Sequence, residues 1–159
     1  HTKNPKLAFD IISKYLKKDG YILVGLYNRY GRARTIVRRF LYKFFSKSVA
    51  IYLDPVLRNI KKDNKLQIKS WIRDQYEHPV ESLHTFDEVL DWFSENNIEF
   101  INSIPKCNIQ EKETDNIFEK SSQGTFLSRL FSQISMLFNN LGSDGGLFVI
   151  IGKKKNDKK

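Results

Sequence analysis

The sequence is poorest in sulfur and in helix breakers, with one cysteine, one methionine and four prolines among 159 residues. A lone cysteine excludes an intramolecular disulfide framework and points to a reducing, cytoplasmic compartment. No run of about 18 apolar residues occurs, so no segment reads as a membrane-spanning helix, and no signal peptide is visible. A glycine-rich loop joining a strand to a helix is also missing, because Gly142, Gly145 and Gly146 precede a strand. Residue 1 is His1, not a methionine, and the chain is therefore expected to be processed or to begin partway through a longer protein. What is plentiful is apolar and aromatic side chain, 40% and 13% of the sequence. That is too much for a disordered chain, and the length suffices for one domain burying about two thirds of its unfolded surface.

The net charge of +9 is unevenly placed. Arg29, Arg32, Arg34, Arg38, Arg39, Lys43 and Lys47 fall in one segment without a carboxylate, and residues 153–159 hold five lysines against Asp157. The rest of the chain is slightly acidic, so the basicity belongs to one segment and one tail. The tail 153–159, without apolar residues, is expected to be a solvated, disordered end.

Residues 5–16 read as an amphipathic helix, capped by Asn4, opened by Pro5 and stopped at Gly20. Tyr21 to Tyr27 is β-rich and apolar on both faces, as in a strand covered on both sides. Residues 32–48 form a second amphipathic pattern, with Phe40, Phe44 and Phe45 opposite the cations. Residues 61–84 are polar and irregular. Thr85 and Glu88 then make a capping box for a helix ending at Asn96-Asn97, followed by a strand at 98–104. A polar stretch leads to a third helix, whose stripe includes Phe126, Leu127, Leu130, Phe131, Ile134 and Phe138, and a last strand occupies 147–151. Both phenylalanine stripes are expected to face inward, as core or as a lid. Exposed stripes would instead make a lipid-linked acceptor or a membrane surface plausible. The order of elements places the chain in the α/β class, with helical insertions at about 32–60 and 106–142.

The run Leu16-Lys17-Lys18-Asp19-Gly20-Tyr21-Ile22-Leu23-Val24, together with this order, resembles the C-terminal part of a class I S-adenosylmethionine-dependent methyltransferase. In that family a leucine-lysine-x-glycine-glycine turn precedes the fifth strand, and here the first glycine is Asp19. His1-Thr2-Lys3-Asn4-Pro5 is similar to the end of the family's stretch after the fourth strand. The resemblance implies a Rossmann-like sheet of which residues 1–152 hold the last three strands. The helix at 85–97 and the strands at 98–104 and 147–151 would be the last helix and the antiparallel sixth and seventh strands. It also implies S-adenosylmethionine as cofactor, held mainly by an N-terminal half of the same domain that supplies the glycine-rich turn and the acidic residue on the ribose. His1 would line the cofactor pocket. The strand at 21–27 would lack a neighbour and leave an apolar edge open.

Chemistry is densest in residues 74–85. His78 and His84 are candidate bases, with Tyr76 as their catalytic companion and Asp74, Gln75 and Glu81 on the acceptor side. Tyr27, Asn28, Arg29 and Arg32 follow the first strand and fall at the carboxyl edge, where ligands bind in open α/β sheets. Asn28 suits an acceptor hydrogen bond, and Arg29 and Arg32 suit a phosphate or carboxylate on the substrate. No metal site is expected, because His78 and His84 stand six apart with no further ligand set. The reading is methyl transfer to a small-molecule or lipid-linked acceptor, with this fragment alone expected to be inactive. The alternative is a non-enzymatic basic module for nucleic acid or an anionic membrane surface, the former disfavoured by the absence of any nucleic-acid motif.

Overall fold

The computed structural model describes residues 3–60, 64–77, 81–138 and 146–155. The chain is α/β, built on a four-stranded mixed sheet. Helix α1 (Pro5–Lys14) starts where the Asn4 side chain accepts a hydrogen bond from the Leu7 amide at 3.0 Å. It leads through a tight turn into β1 (Tyr21–Asn28). In that turn Asp19 takes φ +58°, the left-handed region. An L-residue pays for that geometry, although Asp tolerates it better than most. Asp19→Gly is therefore expected to stabilise the chain by about 0.5–1 kcal/mol in urea unfolding. The exposed Lys153–Asp19 pair at 3.4 Å that it removes contributes little.

After β1 come four helices: α2 (Ala33–Phe44), α3 (Lys47–Tyr52), α4 (Pro55–Asn59) and α5 (Lys65–Tyr76). The single helix expected over 32–48 is thus two, divided where the Ser46 side chain caps α3 through the Val49 amide. The stretch 61–84, read as irregular, contains α5, because Asn64 caps it and Ile68, Trp71, Ile72 and Gln75 share its inner side. Asp74, Gln75 and Tyr76 consequently sit on a helix and not on a loop.

Strand β2 (Leu83–His84) lies parallel to the end of β1, with Tyr27 opposite Leu83 and Asn28 opposite His84. Helix α6 (Phe86–Glu95) follows with its capping box formed, Thr85 and Glu88 each satisfying the other's backbone amide. Strand β3 (Ile98–Ile104) forms one edge of the sheet, and β4 (Leu147–Lys154) runs antiparallel to both β1 and β3. The sheet order is β2-β1-β4-β3. Because β4 opposes both neighbours, β3 is parallel to β1, and only the last strand is antiparallel to the rest. Residues 106–125 carry no regular element, so the insertion expected to be helical over 106–142 has, among the described residues, the helix α7 (Phe126–Ser135) and little else.

Of the tail expected over 153–159, the first two residues are strand and 156–159 lie outside the described residues. Lys153 and Lys154 belong to β4, where the Lys154 amide bonds to the Gly20 carbonyl at 2.9 Å and its ammonium bonds to the Asn96 carbonyl at 2.9 Å. A lysine stem lies along a strand while its head reaches a polar partner.

The core lies between the sheet and α6, where Phe86, Val89, Phe93, Phe148 and Ile150 are buried. Phe9 of α1 stacks on Phe93 with ring centroids 5.7 Å apart. Each such side chain contributes about 1.5–3 kcal/mol on burial. Cys107 belongs to the same core, and burial pushes its thiol up to about 12, so it is an apolar filler and not a nucleophile.

Three helices are turned inside out. On α2 the inward side carries Thr35, Arg39 and Tyr42, while Val37, Phe40 and Phe44 point to solvent. On α7 the buried residues are Ser132 and Gln133, and Phe126, Leu127 and Phe131 are exposed. On α1, Leu7, Ile11 and Ile12 are exposed. The expectation that the phenylalanine stripes pack inward is therefore overturned. On α2 and α7 the cations and amides find partners that are distant in sequence, Arg39 with Glu81 and Gln133 with Asn28, and those pairings set which side faces in, whereas α1 turns Phe9 and Ser13 inward.

Candidate functional site

At the carboxyl ends of β1 and β2 the chain builds two linked polar clusters. The first is a buried brace. The Arg32 side chain, 1% exposed, reaches Glu81 through Nε at 2.7 Å and Nη2 at 3.1 Å. Arg32 Nη2 also donates to Gln75 Oε1 at 2.8 Å, and its guanidinium lies 4.0 Å from the Tyr27 ring centroid. Arg39 joins from α2, bonding to Glu81 and to the Gln75 carbonyl. Burial raises the Glu81 pKa, but the hydrogen bonds from Arg32 and Arg39 outweigh it and hold the carboxyl below the usual glutamate range. Four residues expected to meet an acceptor, Tyr27, Arg32, Gln75 and Glu81, are thus together, and they hold one another.

A second buried carboxylate anchors the helices behind this brace. Asp54 caps α4 through the Val56 and Leu57 amides at 2.9 and 3.2 Å. It also accepts from Trp71 Nε1 at 3.1 Å and from the Tyr76 hydroxyl at 2.6 Å. Burial pushes the Asp54 carboxyl up, and the bonds from Tyr76 and Trp71 more than offset that, so it titrates below its ordinary value. Burial and the Asp54 carboxylate together push the Tyr76 hydroxyl well above the usual tyrosine range, which makes it a donor at neutral pH. Tyr76, expected as a catalytic companion of the histidines, has its hydroxyl committed to Asp54. Asp74 is exposed and accepts from the Gln75 amide at 2.8 Å.

Asn28 is buried and structural. Its Oδ1 accepts from the Tyr30 and Gly31 amides at 2.9 and 3.1 Å, and its Nδ2 donates to Gln133 Oε1 at 2.8 Å. Gln133 Oε1 also accepts from the Phe86 amide at 3.0 Å, so one amide joins β1, α6 and α7. Gly31 and Gly146 pack face to face behind this turn, and a Cβ on Gly31 would lie 2.8 Å from the Gly146 Cα.

The second cluster joins a histidine, a carboxylate and a guanidinium. His84 Nδ1 lies 3.1 Å from Glu88 Oε2, and Arg29 Nη2 lies 3.4 Å from Glu88 Oε1. The Arg29 amide bonds to the His84 carbonyl at 3.0 Å, fixing the two strand ends together. A carboxylate accepts only, so Nδ1 carries the proton of this contact, and in the neutral imidazole the lone pair is on Nε2. His84 Nε2 is buried and has no hydrogen-bond partner among the described residues. The Trp92 ring packs against the imidazole with centroids 5.1 Å apart. A base, a carboxylate that orients it and a cation on that carboxylate are the parts of an oriented general base.

Of the residues expected from the sequence, His84 and Arg29 are brought together, whereas His78 and His1 lie outside the described residues. Glu88, Arg39, Asp54 and Gln133 were not anticipated as site residues. Asp54-Pro55 is a cap-and-proline signal that foretells the start of α4, and Glu88 was read only for its capping role. Nothing near Gln133 in sequence points to its partners.

The described residues do not form a cradle for S-adenosylmethionine. The glycines at the carboxyl edge, Gly31 and Gly146, close against each other, and Asn28 and Gln133 fill the space beside them. No protein-family model matches the chain, and no curated protein matches it. Among the described residues no helix is long and apolar enough to cross a membrane.

Proposed function

We propose that this chain is the acceptor side of an S-adenosylmethionine-dependent methyltransferase domain, with His84 as the base that removes a proton from the acceptor. The observation that carries the reading is the state of β1. On one side it pairs along its length with the antiparallel last strand; on the other, only Tyr27 and Asn28 have a strand partner among the described residues. Leu23 in its middle is 52% exposed. An apolar strand with an open edge supports the reading of a sheet that continues. The α1 side bearing Leu7, Ile11 and Ile12 lacks a cover in the same way. Asp19 adds support, since the position at which the resemblance expects glycine takes the left-handed backbone that favours glycine.

The division of labour follows from the site. The chain offers an oriented base and a braced carboxyl edge, and the cofactor is left to residues beyond the open edge of β1. Calorimetric titration with S-adenosylmethionine should show binding by the natural gene product and at least about 100-fold weaker binding by the 159-residue chain, since its described residues form no cradle. A natural gene product that does not bind the methyl donor would refute the family reading, and equal binding by the isolated chain would refute the division.

A further inference from the structure

The exposed face of α2 is a different object from the open edge of β1. It lies among the helices that follow β1 and carries Val37, Phe40, Phe44 and, just beyond, Phe45, the last two 62% and 75% exposed. The phenylalanine rings touch, with centroids 5.0 Å apart for Phe40 and Phe44 and 5.8 Å for Phe40 and Phe45. The patch continues to the turn just past the end of α7, because the Arg34 guanidinium lies 5.9 Å from the ring centroid of Phe138, itself 71% exposed.

Charge decides what such a face meets. From Arg29 to Leu53 there is no carboxylate. Arg29, Arg32 and Arg39 are occupied by Glu88 and Glu81, whereas Arg34 and Lys43 are exposed at the border of the aromatic stripe. The Lys43 ammonium stands 5.3 Å from the Phe44 ring centroid, with its stem along the apolar surface and its head at the margin. A nucleic acid would leave Val37 and the phenylalanines of this face against phosphate. A second copy of the chain, docked through the same face about a two-fold axis, would bring cations against cations. A bilayer with anionic headgroups satisfies both halves, since rings enter the acyl boundary and cations stay among phosphates.

We infer that α2 and the end of α7 dock this protein onto an anionic lipid surface, and that the methyl acceptor is a lipid-linked molecule presented there. The second clause rests on the methyltransferase reading; the first does not.

The test is co-sedimentation of the natural gene product with phosphatidylcholine vesicles, with and without phosphatidylglycerol. Binding is expected only to the anionic vesicles, weakening as salt is raised. It should fall by about tenfold or more in a variant carrying Phe40→Ser, Phe44→Ser and Phe45→Ser. Those side chains are exposed, so thermal unfolding followed by circular dichroism should match the parent. A second variant, Arg34→Glu with Lys43→Glu, should lose the preference for anionic lipid. No binding to anionic vesicles, equal binding to neutral ones, or binding unaltered in both variants would overturn the inference. So would a dimer without vesicles that the serine variant splits, or an oligonucleotide bound in preference to lipid. Vesicle binding without methyl-donor binding would keep the docking face and remove the lipid-linked acceptor.

Discussion

Glu81→Ala is expected to destabilise the chain by about 3–5 kcal/mol, the cost of leaving buried charge without its partner. The Arg32 guanidinium is enclosed by the Tyr27 ring, Gln75 and Glu81, and Arg39 shares the same carboxylate. Removing that carboxylate strands two cations, one of which has no route to water. Glu81→Gln keeps most of the shape and separates charge from packing. The pH dependence has a definite sign. The folded-state pKa of Glu81 lies below its ordinary value, so its contribution is complete above the usual glutamate range and is lost as pH falls through the folded value. Urea unfolding at neutral and acid pH should show a shallower acid limb for Glu81→Gln than for the parent. A loss under about 1 kcal/mol for Glu81→Ala would mean that Arg32 finds water in the variant, and the brace would not be what holds α2 to α5.

The brace also explains what could be read in advance. Strands β1, β3 and β4 and helix α6 were legible because an apolar run bounded by Gly20 or Pro105, or a Thr85–Glu88 capping box, leaves few alternatives for the local backbone, whereas the two-residue β2 lies in the stretch read as irregular. The presence of α1, α2 and α7 was legible from periodicity, which shows that a helix has an apolar face. Periodicity does not show which way that face points. On α2 the outcome was set by Glu81 and Gln75, more than thirty residues away in sequence, which draw Arg32 and Arg39 inward. On α7 it was set by Gln133, which bridges Asn28 and the Phe86 amide, and by Arg129, which pairs with Asp87 at 2.6 Å. Helix α5 was missed because its apolar residues are few and its inner side ends in Gln75. A polar side chain that a guanidinium will bury looks, in sequence, like one that solvent will hold. The candidate base was legible only as a type: His84 stood out, but its orienting partner Glu88 had already been assigned to a cap, and one carboxylate does both.

That double duty shapes the remaining large effect. In the natural gene product, His84→Asn is expected to lower the methyl-transfer rate by about 10²–10⁴-fold, the usual worth of a positioned base. Asparagine can still donate to Glu88 from the place of Nδ1, so the capping box and the Arg29 contact should survive, while the lone pair at Nε2 is lost. The structural argument is the cost of that lone pair. A buried acceptor without a hydrogen bond costs about 1–3 kcal/mol, and a fold without use for it would have an apolar ring in its place. Glu88→Gln should act more weakly on rate, because it leaves Nε2 intact and loosens only the tautomer and the ring orientation. It should also shift the pH–rate profile, which a purely structural role for Glu88 would leave unmoved. A His84→Asn enzyme that binds methyl donor normally and turns over within about threefold of the parent would remove His84 as the base. The unpartnered Nε2 would then be a packing cost, offset by the edge-to-face contact of the imidazole with Trp92.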